Sequence, residues 1–203
     1  MKILKKSVSL FLLLAMFWFL APQAKAEPKF RRPISATPVF SSFYDNQAGL
    51  GLRKYTCVTS GTYEGHAGTD LATAVGTPVY ASAVGGLYYR YNGCPTYGYL
   101  GSTCGGGYGN NVRIDHEGIL TDGIGWVTLY AHLQLDTAVW PMSVLCGAGI
   151  AKSGSSGNSS GPHLHFEVRK YAYPGNDPFS GYCSHSTSFW VSQVNGLPTT
   201  SCQ

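Results

Sequence analysis

The sequence predicts a mainly β fold. Short stretches rich in Val, Tyr and Ile alternate apolar and polar residues, as half-buried strands do. Beyond the first 26 residues, no window of ten or more carries a convincing helical period. Glycine is abundant, at 26 residues, and marks tight turns between short strands.

The first element is a targeting segment. Lys2, Lys5 and Lys6 precede an apolar run from Val8 to Leu20, and Ala24-Lys25-Ala26 places small residues where signal peptidase reads them. The run is 13 residues long, short of the roughly 20 needed to cross a bilayer. Residues 1–26 are therefore expected to be a cleaved signal peptide. The product would be exported to the periplasm or the extracellular space, with no stable membrane insertion after cleavage. Four of the 14 Lys and Arg residues (Lys2, Lys5, Lys6 and Lys25) leave with the signal, so ten basic residues stand against ten acidic ones. No basic stripe remains to neutralise phosphates, which excludes nucleic acid as a partner. The remaining 177 residues suit one domain, expected to act as a monomer.

Residues 27–55 read as irregular, interrupted by Pro28, Pro33 and Pro38. They are expected to form an N-terminal arm or a short pro-segment. Strands are expected over Thr77–Ala83, Gly86–Tyr91, Asn111–Asp115, Trp126–Leu133 and His163–Arg169. One more is expected around Phe189-Trp190-Val191, in an extension over 184–203 that packs on a domain of residues 56–183. Two loops stand out: the Tyr- and Gly-rich stretch 92–109, and Ser-Gly-Ser-Ser-Gly-Asn-Ser-Ser-Gly-Pro over 153–162.

All six cysteines lie past the signal, an even count that reads as three disulfides in an exported chain. Local closure would pair Cys94 with Cys104 and Cys183 with Cys202, leaving Cys57 for Cys146. No C-x2-C pair supports a cysteine-ligated zinc.

The histidines carry the chemistry. In a strand, His163 and His165 point to one face and Leu164 to the other. His66-x3-Asp70, in a segment with two glycines, reads as a turn that brings an imidazole and a carboxylate together. His132 sits among apolar neighbours in a mostly buried strand. Two imidazoles and one carboxylate leave a fourth coordination position for water, the open geometry of a catalytic zinc. Two further histidines would then be free for proton transfer.

Three separated blocks resemble the LytM/lysostaphin-type zinc endopeptidases: Gly65-His66-x3-Asp70, Leu129-Tyr130-Ala131-His132 and Gly161-Pro162-His163-Leu164-His165-Phe166-Glu167-Val168. Gly76-Thr77-Pro78-Val79 and the run Asn110–His116 fit as well, and the likeness covers roughly residues 60–180. The resemblance implies antiparallel sheets forming an open groove with the metal at its floor. It assigns one zinc ion to His66, Asp70 and His165, and catalysis to His132 and His163. It implies hydrolysis of peptidoglycan stem or bridge peptides beside D-alanine or glycine. Tyr63 is a candidate oxyanion donor. The stretch Leu135–Ile150 and the disulfides depart from the family pattern.

Other readings fit less well. Gly157-Asn158-Ser159-Ser160-Gly161 fits G-x-S-x-G, but Pro162 and a strand follow where that motif needs a helix. His116-Glu117 lacks the second histidine of H-E-x-x-H, since residue 120 is Leu. The loop 92–109 reads as a disulfide-pinned groove wall rather than a sugar-binding face. The remaining alternative is a secreted zinc-containing binding protein without catalysis, which is expected to lack one or both of the non-ligand histidines.

Overall fold

Strands 126–133 and 163–170 form the spine of the protein, and every other element is placed by how it reaches them. The computed structural model describes residues 28–46, 54–116, 125–170 and 175–203, so the signal segment lies outside the described residues. In chain order the strands are β1 (Val39–Ser42), β2 (Thr69–Ala72), β3 (Pro78–Tyr80), β4 (Gly85–Tyr91), β5 (Asn110–Asp115), β6 (Trp126–Leu133), β7 (Met142–Val144), β8 (Gly149–Lys152), β9 (His163–Lys170), β10 (Gln193–Val194) and β11 (Leu197–Pro198). A short 3-10 turn covers Cys104–Gly107, and no α-helix occurs among the described residues.

Seven strands form one antiparallel sheet in the order β1, β2, β9, β6, β5, β4, β7, while β3 pairs with β8 and β10 with β11. The fold is mainly β and antiparallel, as the alternation predicts. One face of the large sheet presents Leu71, Ile114, Tyr130, Leu133, Leu164, Phe166 and Val168 to a core shared with Val79, Ile150, Phe179 and Trp190. The first and last described segments close that core. Phe30 is fully buried, and Trp190 stacks on Phe166 at 5.5 Å between ring centroids.

Register decides what the other face carries. Asp70 pairs with His165 and Ala72 with His163, while Ala131 pairs with His165 from the far side. Side chains on paired residues share a face, so Asp70, His163, His165 and Glu167 stand together, opposite the core. Plain alternation would send His132 inward beside Tyr130. The β5–β6 register instead shifts between Asn110 and Val112, so Ala131 and His132 together oppose Asn111. His132 takes φ 57°, left-handed for a non-glycine residue, and this bulge turns its ring to the face of His165.

Several expectations are corrected. Residues 65–70 are not all turn: Thr69 and Asp70 open β2, because Asp70 has a ladder partner in His165. The arm is not wholly irregular, since Val39–Ser42 pairs with β2. The strand expected over Thr77–Ala83 holds only over Pro78–Tyr80. Ala81 N bonds instead to Ala148 O at 2.8 Å, and Ser82 N donates to Tyr130 Oη at 2.8 Å. Phe189-Trp190-Val191 forms only a bridge to Phe30, because Phe189 and Trp190 are both buried and cannot alternate. The strands of that tail are the β10–β11 pair. They flank Asn195-Gly196, with φ 48° and 77°, the left-handed values a tight hairpin needs.

The disulfides are Cys57–Cys183, Cys94–Cys104 and Cys146–Cys202. Local closure predicts the second and misses the other two, because tertiary packing overrides proximity in sequence. Tyr55 stacks on Phe179 at 4.8 Å and its carbonyl accepts from Cys183 N at 3.0 Å, which carries Cys57 to Cys183. The tail runs back along the arm, with Arg32 N donating to Thr199 O at 2.8 Å, and so delivers Cys202 to Cys146.

Candidate metal centre

His66, Asp70 and His165 are all buried and turn one ligand atom each to a common point. His66 Nε2 lies 3.2 Å from Asp70 Oδ1 and 3.2 Å from His165 Nδ1, and His165 Nδ1 lies 2.8 Å from Asp70 Oδ1. The remaining ring nitrogens settle what these atoms are. His66 Nδ1 donates to Phe43 O at 2.7 Å, and a carbonyl can only accept, so Nε2 of the neutral ring is a bare lone pair. His165 Nε2 donates to Glu167 Oε1 at 2.9 Å, which leaves Nδ1 bare in the neutral ring. Three lone pairs converge with no donor among them.

Such a cluster needs a cation. A tetrahedral zinc with bonds of about 2.0–2.2 Å sets its ligand atoms about 3.3 to 3.6 Å apart. The three separations of 2.8–3.2 Å need only slight opening to match. Without the ion a proton takes its place. Burial alone would lower His165, but hydrogen bonds to Asp70 and Glu167 outweigh it and lift the ring to about 9. Burial likewise opposes ionisation of Asp70, yet hydrogen bonds from His165 and His66 hold it far below the usual carboxylate range. The residues present fit a zinc ion.

His132 and His163 flank this cluster. Their ring centroids are 4.6 Å apart, and His132 lies 5.8 Å from His165. His132 Nδ1 donates to Ser156 O at 2.6 Å and His163 Nδ1 to Gly161 O at 2.8 Å, so both rings offer Nε2 outward. His163 Nε2 stands 3.7 Å from Asp70 Oδ1. Burial and the neighbouring His165 and His163 push His132 down to about 3, so its ring is neutral at neutral pH. The Ser-rich loop thus holds both rings by its carbonyls, and none of its serines sits on a nucleophile elbow.

The groove above is lined by Tyr63, Gly106, Gly107, Tyr108, His132 and Asn158. Tyr63 stacks on His66 at 4.4 Å. Burial, then the charges of Asp70 and Glu167, raise its hydroxyl, which stays protonated.

A family model described as Peptidase family M23 matches residues 64–178, more than half of the chain. The chain belongs to Peptidase family M23. All five histidine and aspartate residues of the site fall inside that match. Among M23 relatives, the DD-carboxypeptidase/endopeptidase Mpg of Neisseria meningitidis is 38% identical over 115 residues, 57% of this chain. The peptidoglycan DD-endopeptidase ShyB of Vibrio cholerae is 29% identical over 144 residues, 71% of this chain. The chain spans only 22% of the first protein's length and 29% of the second's. The structure of Helicobacter pylori Csd3 shares the fold, with a TM-score of 0.50 and 24% identity over 75% of this chain and 34% of Csd3.

Sequence reasoning missed four contributors around the M23 site: Glu167, Arg169, Tyr108 and the carbonyl of Phe43. Glu167 was open to inference, since it stands two residues after His165 on one strand face. The Phe43 carbonyl has no signal, because any residue supplies one.

Proposed function

We propose that this chain is an exported zinc-dependent endopeptidase that cleaves peptide bonds in peptidoglycan cross-links, in bridges containing D-alanine or glycine. One observation carries the reading: His132 and His163, each with Nδ1 held by a backbone carbonyl, present Nε2 beside a cluster of three converging lone pairs. The M23 membership and the names of the two relatives support the substrate class.

His66, Asp70 and His165 would hold the zinc ion. Zinc in such a site lowers the pKa of a bound water to about 7 and polarises a carbonyl. His132 is suited to accept a proton at Nε2, because Ser156 O holds its other nitrogen protonated. His163, held the same way by Gly161 O, presents a second Nε2, and whichever ring has taken up the water's proton there is suited to pass it on to the leaving amine. Tyr63, protonated beside His66, is the hydroxyl donor for the developing oxyanion. We read residues 28–46 as an integral arm rather than a blocking pro-segment, since Phe43 O orients His66. The binding-protein alternative is disfavoured by the presence of both His132 and His163.

The test is incubation with purified peptidoglycan, with and without a chelator, followed by mass analysis of released muropeptides. Chelator-sensitive loss of cross-linked dimers is expected. Intact cross-links after treatment with the zinc-loaded protein would sink the reading.

A further inference from the structure

Glu167 is fully buried, and its two oxygens divide between two partners. Oε1 accepts from His165 Nε2 at 2.9 Å, and Oε2 accepts from Arg169 Nε. The same guanidinium sends Nη2 to Tyr108 Oη at 2.8 Å. Tyr108 lies four residues past the Cys94–Cys104 disulfide, and its carbonyl accepts from His132 N at 2.9 Å. Arg169 does not itself line the groove.

We propose that Arg169 is a positioning residue for the metal centre, its guanidinium forked between Glu167 and Tyr108 so that Glu167 fixes which nitrogen of His165 faces the ion. The physical need is plain. Burying a carboxylate is costly unless the lone pairs of both its oxygens are met. Met on one side only, Glu167 would be free to rotate, and the His165 ring would lose the acceptor that selects its tautomer. Arg169 supplies the missing side in a fork that lysine cannot reproduce. The far tine ties the arrangement to the groove wall, because Tyr108 contacts Arg169 by its hydroxyl and His132 by its backbone.

This rests on the zinc reading above but not on peptidase activity. The test is zinc affinity, measured by competition with a chromophoric chelator, on the full mature chain and its Arg169→Met, Arg169→Lys, Glu167→Gln and Glu167→Gln/Arg169→Met variants. Thermal melts of the zinc-free proteins serve as the fold control. Arg169→Met should weaken zinc about tenfold to a hundredfold, and Arg169→Lys by less. In the Glu167→Gln background, the Arg169 substitution should cost no more than about twofold, because its effect passes through Glu167. Should Arg169→Met fail to fold, Arg169→Lys in the two backgrounds decides the same point. Unchanged affinity in the Arg169 variants, an equal loss in both backgrounds, or a wild type that binds no zinc would overturn the proposal. Tight zinc binding without cleavage of peptidoglycan would sink the function proposed above and leave this inference standing.

Discussion

Asp70 stands directly across the β2–β9 ladder from His165, its Oδ1 2.8 Å from His165 Nδ1. Two backbone-paired residues thus supply two of the three candidate ligand atoms, and the third arrives on the short span from His66. Because the ladder pre-forms this pair, metal should add stability to a fold that exists without it. At zinc a hundredfold above Kd the gain is about 2.7 kcal/mol. For a domain of this size, chelation should lower Tm by about 5–10 °C. Asp70→Ala should abolish the chelator-dependent shift, and a shift that persists in calorimetry would refute Asp70 as a ligand.

His132 separates chemistry from backbone cost. Its φ of 57° disfavours any residue with a β-carbon by about 1–2 kcal/mol. His132→Gly should therefore be more stable than His132→Ala by about 1 kcal/mol in urea titration, since glycine accepts that φ. Both variants should keep zinc and lose at least about a hundredfold in rate. Equal urea midpoints for the two would argue against a strained bulge.

The disulfides should divide stability from activity. Cys57–Cys183 closes a separation of 126 residues and Cys94–Cys104 one of 10. Loop-closure entropy gives about 5 kcal/mol for the longer and about 3 kcal/mol for the shorter. Replacing Cys57 and Cys183 by serine should lower the melting temperature more. Replacing Cys94 and Cys104 should lower hydrolysis more, because Gly106, Gly107 and Tyr108, which line the groove, follow directly on the anchored Cys104. The opposite order in paired melting and hydrolysis assays would contradict this division.

Asp177 gives the protein a pH-dependent weakness away from the metal. Burial raises its carboxyl to about 6, although it accepts from Phe179 N at 3.0 Å. A raised acid favours folding while protonated. Its contribution is full below the unfolded value of 3.8 and is lost as pH rises through about 6. The shift corresponds to about 3 kcal/mol. Its neighbours Tyr44, at about 12, and Tyr55, also raised by burial, stay neutral throughout. Asp177→Asn should match the wild type near pH 3.5 and exceed it in stability at pH 8. Parallel stability curves across that range would exclude the residue as the cause.

How much was legible from sequence varies with the range of the interaction. The spine strand Trp126–Leu133 and the His163–His165 pair follow from alternation, which is a property of consecutive residues. The Asn195-Gly196 hairpin was equally local and went unread. By contrast, β1 is too short and too exposed to announce itself, at four residues with one buried. Its partner β2 lies next to glycines that read as turn.

By itself, the sequence determined the β class and the family blocks, and pointed to the five side chains of the proposed site, because these rest on residue type and short spacing. Tertiary structure alone decided the Asp70–His165 register, the bulge that swings His132 away from the core, two of the three disulfides and the Glu167–Arg169–Tyr108 fork. The physical reason is that each of these depends on which distant strands share a ladder and on where backbone carbonyls fall. A carbonyl is the same on every residue, so the positions of Phe43 O and Ser156 O exist only once the chain has folded.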